Sequence, residues 1–175
     1  RQMCIRDSSS ILRGSITKKI SKHFFVYEKS QKNIQKIKKI NNNIIILKKL
    51  DDKLSDMDLV VLSTPMSEYD KIIPNLNKYL NKNCLITDVG STKENVLKLK
   101  NKKLVKSLDW ITSHPISGSE VSGPEYGTKN LFVKKWCIVV SDKNKLKQNK
   151  LLKFWKKLGS KVIIMDAKIH DKIFS

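Results

Sequence analysis

The sequence predicts an α/β domain built on a doubly wound, mostly parallel sheet. Strand-sized apolar runs alternate with amphipathic, helix-length stretches along the whole chain. Several of the runs, such as DLVVL at 58–62 and NCLITDV at 83–89, are apolar at successive positions, as strands covered on both faces are. At 175 residues and 39% hydrophobic, the chain fits one domain with a substantial core.

The elements follow in order. Ser9–Lys19 reads as a helix and HFFVY, His23–Tyr27, as a strand. Gln31–Ile40 carries Ile34, Ile37 and Ile40 at helical spacing, and Asn43–Leu47 is a short strand. Asp58–Leu62 is a buried strand closed by Ser-Thr-Pro. Tyr69–Leu80 is a helix with Ile72, Ile73, Leu76 and Leu80 on one face. Asn83–Val89 is a strand ending at Gly90, after which Ser91 and Glu94 have the spacing of a capping box and open a helix to about Lys100. Trp110–Ser113 is a strand, followed by a Gly/Ser/Pro-rich loop over Pro115–Thr128. Trp136–Ser141 is a strand, Lys145–Leu158 a helix stopped by Gly159, and Lys161–Met165 a strand. A last helix starts at Ala167. RQMCIRD, residues 1–7, shows neither period, holds two of the three arginines and no lysine, and reads as a non-native or disordered leader.

The formal charge of +20 raises the question of nucleic acid. The residue types argue against it: Arg1, Arg6 and Arg13 are the only arginines, and the lysines are spread evenly among Asn and Ile, as in a coding bias toward A and T. No nucleic-acid partner is expected. No run reaches the ~18 apolar residues of a membrane span, so no membrane partner is expected either. Cys4, Cys84 and Cys137 lack metal-ligand spacing, and a reducing, cytoplasmic setting fits them.

Ligands of such sheets bind outside the carboxyl ends of the strands. Glu28, with Lys29 beside it, ends the second strand of the pattern, where a carboxylate grips the ribose hydroxyls of NAD. Ser63, Thr64 and Pro65 end the next long strand, and Asp88, Gly90 and Ser91 the one after; small residues there let a cofactor approach the backbone. The Gly-x-Gly-x-x-Gly turn that should open the fold is absent, and SSSILRG, 8–14, reads as the helix that follows such a turn, with Ser9 and Ser10 in its first turn. His114 stands before Pro115, which biases it to an extended conformation at a strand end. An imidazole there titrates near neutrality and suits a general base, with Ser91 as its neighbour. His170 and Asp171 read as packing and capping residues of a helix start.

Two segments, ITDVGSTKENV and SHPISGSEVSGPEYGTKNLF, resemble the prephenate/arogenate dehydrogenase family of tyrosine biosynthesis. SSSILRG is similar to that family's Gly-Ser-Ser-Ile helix, and KIHDKIF, 168–174, to the signature that opens its second domain. The resemblance implies a Rossmann-like NAD(P)-binding domain over 8–166, lacking most of its first strand, with 167–175 beginning a helical domain for substrate binding and dimerisation. It implies NAD, with NADP possible, as cofactor. The reaction implied is oxidative decarboxylation of prephenate to 4-hydroxyphenylpyruvate, or of arogenate to tyrosine, in a homodimeric parent enzyme. It makes His114 the base, places Ser91 and Glu120 at the substrate, and leaves the fragment inactive alone, since no arginine follows Arg13 to grip a second carboxylate. Two other readings remain open: another hydroxyacid dehydrogenase, and a basic nucleic-acid-binding module.

Overall fold

The computed structural model describes residues 4–117 and 124–174. Helix α1 (Cys4–Thr17) comes first. Strand β1 (Phe25–Tyr27) pairs in parallel with β2 (Ile45–Leu47) across the crossover helix α2 (Gln31–Lys38). β3 (Leu59–Leu62) pairs in parallel with β4 (Leu85–Asp88), and β4 with β5 (Asp109–Trp110), through α3 (Tyr69–Tyr79) and α4 (Glu94–Lys103). β6 (Ser113–Pro115) runs antiparallel to β7 (Trp136–Val140), and β7 parallel to β8 (Lys161–Met165) through α5 (Lys145–Lys157). Helix α6 (Ala167–Phe174) ends the described chain.

β5 and β6 are one extended run that changes partners. The Ile111 N–H donates to Ile86 O and holds the run on β4; the Val140 N–H donates to Thr112 O and ties it to β7. The single strand read over Trp110–Ser113 is therefore two short ones. Among the described residues four of the five strand pairings are parallel, which is the mostly parallel arrangement expected.

β4 shows why its sequence is apolar at successive positions. Leu85 and Val89 pack in a core with Ile11 of α1 and Leu151, Trp155 and Leu158 at α5. Ile86, between them in sequence, packs on the opposite face with Tyr69, Ile73 and Leu76 of α3, Val96 of α4 and Trp110. Each face carries its own helices, so alternate residues are both buried. At the end of α5, Gly159 adopts φ +96°, a left-handed conformation that a β-carbon disfavours, and its N–H closes on Lys156 O.

Two boundaries differ from the sequence reading. α1 begins at Cys4, inside the segment set apart as a leader, because Arg6 is buried and its guanidinium bonds Asp7 (2.9 Å) and Ser117 Oγ (2.6 Å). A long-range anchor of this kind leaves no periodicity to read. α4 is not opened by a Ser91–Glu94 capping box: the helix starts at Glu94, and its N-terminal N–H groups are capped by Asp171 of α6.

Among the described residues β1 is paired only with β2, and β3 only with β4. All of β1 and β3 lines a cavity of about 1140 Å³, closed on one side by Ile11, Leu12 and Ser15 of α1 and on another by Leu151 and Phe154 of α5. β4, flanked by strands on both sides, is buried at all four positions, whereas β1 is only half-buried. Among the described residues no helix is long and apolar enough to cross a membrane.

Candidate active site

His114 is the centre of the site. β6 places it opposite Ile138 of β7, and Pro115 after it continues the extended backbone. Its Nδ1 lies 2.9 Å from Nε2 of His170, and Nδ1 of His170 lies 2.7 Å from Oδ1 of Asp171. His170 is fully buried, and Phe174 packs against both rings, with centroids 5.4 Å from His170 and 6.3 Å from His114. The Asp171 carboxylate accepts the backbone N–H groups of Lys93 (2.8 Å) and Glu94 (2.9 Å). Those bonds, with His170, favour its ionised form and outweigh the opposing effect of burial, so its carboxyl stays below the usual range. One acid thus fastens α6 to the start of α4 and ends a chain of hydrogen bonds that begins at His114.

Burial, then the charge of Lys93, then His170 push the His114 pKa down to about 4, against the opposing pull of Asp171. At neutral pH the imidazole is uncharged and able to accept a proton.

Beneath it lies a buried polar floor. Lys93 Nζ donates to Asp88 Oδ2 (2.6 Å) and to Ser113 O (2.8 Å), and both side chains of the ion pair are fully buried. Trp110 Nε1 donates to Asp88 Oδ1 at 3.1 Å, and the Gly90 N–H to Oδ2 at 3.2 Å. Ser113 Oγ donates to Asp88 O, accepts from Trp155 Nε1, and pairs with Thr87 Oγ1. Every heteroatom has a partner, which is what a buried network needs in order to be rigid. Its last bond, Lys93 to Ser113 O, fixes the backbone immediately before His114.

The residues expected at a cofactor are distributed unevenly. Ser63 Oγ and Thr64 Oγ1, at the carboxyl end of β3, are buried without a hydrogen-bond partner among the described residues. Glu28, at the carboxyl end of β1, accepts the Ser30 N–H at 2.8 Å and keeps a second oxygen; Lys29 is exposed and paired with Glu68 at 3.0 Å. Glu28, Ser63, Thr64 and Pro65 all line the large cavity. Gly90 turns the chain after β4 without a positive φ. Ser9 and Ser10 are buried in the second turn of α1, both donating to Arg6 O, and Ser10 also accepts the Thr128 N–H. Both oxygens of Asp88 are engaged inside the floor, so it supports the site from below. Ser91 is exposed near the start of α4 and makes no hydrogen bond to His114 among the described residues. Glu120 lies outside the described residues, as do Gly118 and Gly123 of the same loop.

Three contacts around His114 escaped the sequence reading. Lys93 follows Ser91 by two residues and looked like one more of many lysines. The roles of His170 and Asp171 as partners of His114 were missed, although an adjacent His-Asp pair at a helix start is a signal that a second histidine elsewhere has an acid to share.

A parallel sheet covered on both faces defines this chain's class. Glu28, Ser63 and Thr64 stand at the carboxyl ends of its strands and line one large cavity, the arrangement of a dinucleotide-binding domain. Residues 13–164 match the family described as "Prephenate dehydrogenase, nucleotide-binding domain", and the chain belongs to that family. The cyclohexadienyl dehydrogenase of Zymomonas mobilis subsp. mobilis is 26% identical over 152 residues, covering 86% of this chain and 52% of its own. The prephenate dehydrogenase of Lactococcus lactis subsp. cremoris is 31% identical over 120 residues, covering 67% of this chain and 32% of its own. The crystal structure of prephenate dehydrogenase from Aquifex aeolicus in complex with hydroxyphenyl propionate and NAD+ superposes with a TM-score of 0.85 at 26% identity, over 97% of this chain and 59% of that one. The chain spans from 30% to 52% of the length of the curated relatives it matches.

Proposed function

We propose that this chain is the cofactor-binding part of an enzyme that oxidatively decarboxylates prephenate or arogenate, with His114 as the base that takes the substrate hydroxyl proton. The observation that carries this reading is His114 itself, a neutral imidazole with Nδ1 occupied by His170. The relatives' names supply the substrate class.

The residues present fit a dinucleotide. Ser63 Oγ and Thr64 Oγ1 are partnerless polar atoms where its central part would run, and the remaining Glu28 oxygen is placed for ribose hydroxyls. Lys29 next to it leaves room for the extra phosphate of NADP. Pro65 and Ser9 line the same cavity, Ser10 ties α1 to Thr128, and Asp88 supports the turn at Gly90, these two positions being assigned to the cofactor by this reading. When bound, the nicotinamide supplies the hydride acceptor. His114 holds the departing hydroxyl proton at Nε2, Ser91 orients the hydroxyl, and Glu120 borders the substrate. Loss of carbon dioxide leaves an aromatic ring, which provides the driving force. The second carboxylate is assigned to an arginine outside these residues, because none follows Arg13, and the parent enzyme is assigned to a cytoplasmic homodimer.

The test uses the gene product that carries this chain. It should reduce NAD with prephenate or arogenate, and His114→Asn should lower kcat by about 10²–10⁴-fold with little change in NAD affinity. Wild-type turnover in that variant would remove His114 from its role.

A further inference from the structure

His114 and His170 share one hydrogen bond, and its direction decides which nitrogen of His114 is free to act. We propose that Asp171 and His170 lock His114 as its Nδ1–H tautomer, so that the lone pair offered to a substrate is always on Nε2. This makes His170 and Asp171 positioning residues, and it rests on the reading of His114 as a base.

The argument runs outward from the acid. Asp171 accepts two backbone N–H groups at the start of α4, so it is held as a carboxylate and can only accept. His170 Nδ1, 2.7 Å away, must therefore carry a proton. A neutral imidazole with Nδ1–H presents a lone pair at Nε2. That lone pair lies 2.9 Å from His114 Nδ1, which must then be the donor. The opposite arrangement needs a second proton on His170, a ring with no solvent exposure.

The other charged or titratable groups around His114 do not compete for its Nδ1. Lys93 is committed to Asp88 and to Ser113 O. From β7 the facing residue is Ile138, and from α6 the remaining contact is the Phe174 ring. A proton arriving at Nε2 makes His114 a cation whose Nδ1–H still points at His170, with Asp171 one ring further on. The same chain that fixes the tautomer thus partly offsets the charge formed when the base does its work. Because the acid sits on α6 and the base on β6, the lock closes only when α6 is docked against α4.

The experiment reads the tautomer directly, without needing turnover. Long-range ¹H–¹⁵N correlation spectra of histidine-labelled protein at neutral pH should show His114 as Nδ1–H. His170→Leu removes the acceptor and should bring Nε2–H signal into the His114 pattern. His170→Gln keeps an acceptor at that distance and should restore Nδ1–H; near-UV circular dichroism verifies that both variants are folded. In the gene product, kcat should fall about tenfold or more in His170→Leu and recover in His170→Gln, with NAD affinity unmoved. Nε2–H in the wild type, an unchanged tautomer in His170→Leu, or equal turnover of wild type and His170→Leu would each overturn the proposal. The expected spectra in a gene product without dehydrogenase activity would uphold the lock and refute the proposed function instead.

Discussion

Replacing Lys93 by methionine tests the buried floor, because it removes one charge from a pair with no exposure on either side. The Asp88 carboxylate keeps Trp110 Nε1 on one oxygen and the Gly90 N–H on the other, but loses the only cation paired with it among the described residues. Ser113 O loses its side-chain donor at the same time. Leaving a buried charge uncompensated costs about 3–5 kcal/mol. For a chain of this size that is a fall in Tm of about 6–20 °C. Adding Asp88→Asn removes the stranded charge while keeping an acceptor for Trp110, so the double variant should be more stable than Lys93→Met alone. Urea unfolding followed by fluorescence and circular dichroism measures both. The same substitution acts on His114, since the Lys93 charge is the second-largest cause of its low pKa after burial. NMR titration should show that pKa rising from about 4. A stability loss below about 1 kcal/mol, the scale of a surface pair, would refute the reasoning. So would a His114 pKa that stays in place.

Three further outcomes are expected. His114 has a folded pKa of about 4 against an ordinary 6.5, so between those values the unfolded chain binds more protons; stability present at pH 7 should decline as pH falls through that window, and a pH series of urea unfolding on His114→Phe should lack this part of the decline. Burial pushes the Cys84 thiol up to about 11 and Cys137 well above its usual range, so iodoacetamide at pH 8 should label either only at the rate of unfolding; labelling at the rate of a free thiol would place them at the surface. Adding an apolar strand and a Gly-x-Gly-x-x-Gly turn ahead of α1, with Arg6 and Asp7 kept, should fill the slot beside β1 and β3, raise Tm and tighten NAD binding seen by calorimetry; an unchanged Tm would show that the slot does not take a strand.

The parts legible in the sequence are those written in local periodicity or in local chemistry. β4 was readable because both of its faces are covered, which forces a run without alternation, and β8 was readable end to end. Gly159 announced the end of α5 because a left-handed residue is needed there. The place of His114 at the end of an extended run was readable from the proline behind it and the strand before it. What escaped depends on residues far apart in the chain. The cap of α4 comes from Asp171, 77 residues beyond Glu94, and it displaced a Ser-x-x-Glu pattern that is locally sound. Lys93 is chemically identical to its many surface neighbours, and only the fold shows that it points inward to Asp88. Asp88 was read as a cofactor ligand because it sits at a strand end; the floor shows that a strand-end carboxylate with a lysine five residues later can close on itself. The same distinction applies to His170 and Asp171. Their local role as the start of α6 is real, but their hydrogen bonds run to other elements, to the start of α4 and to the ring of His114.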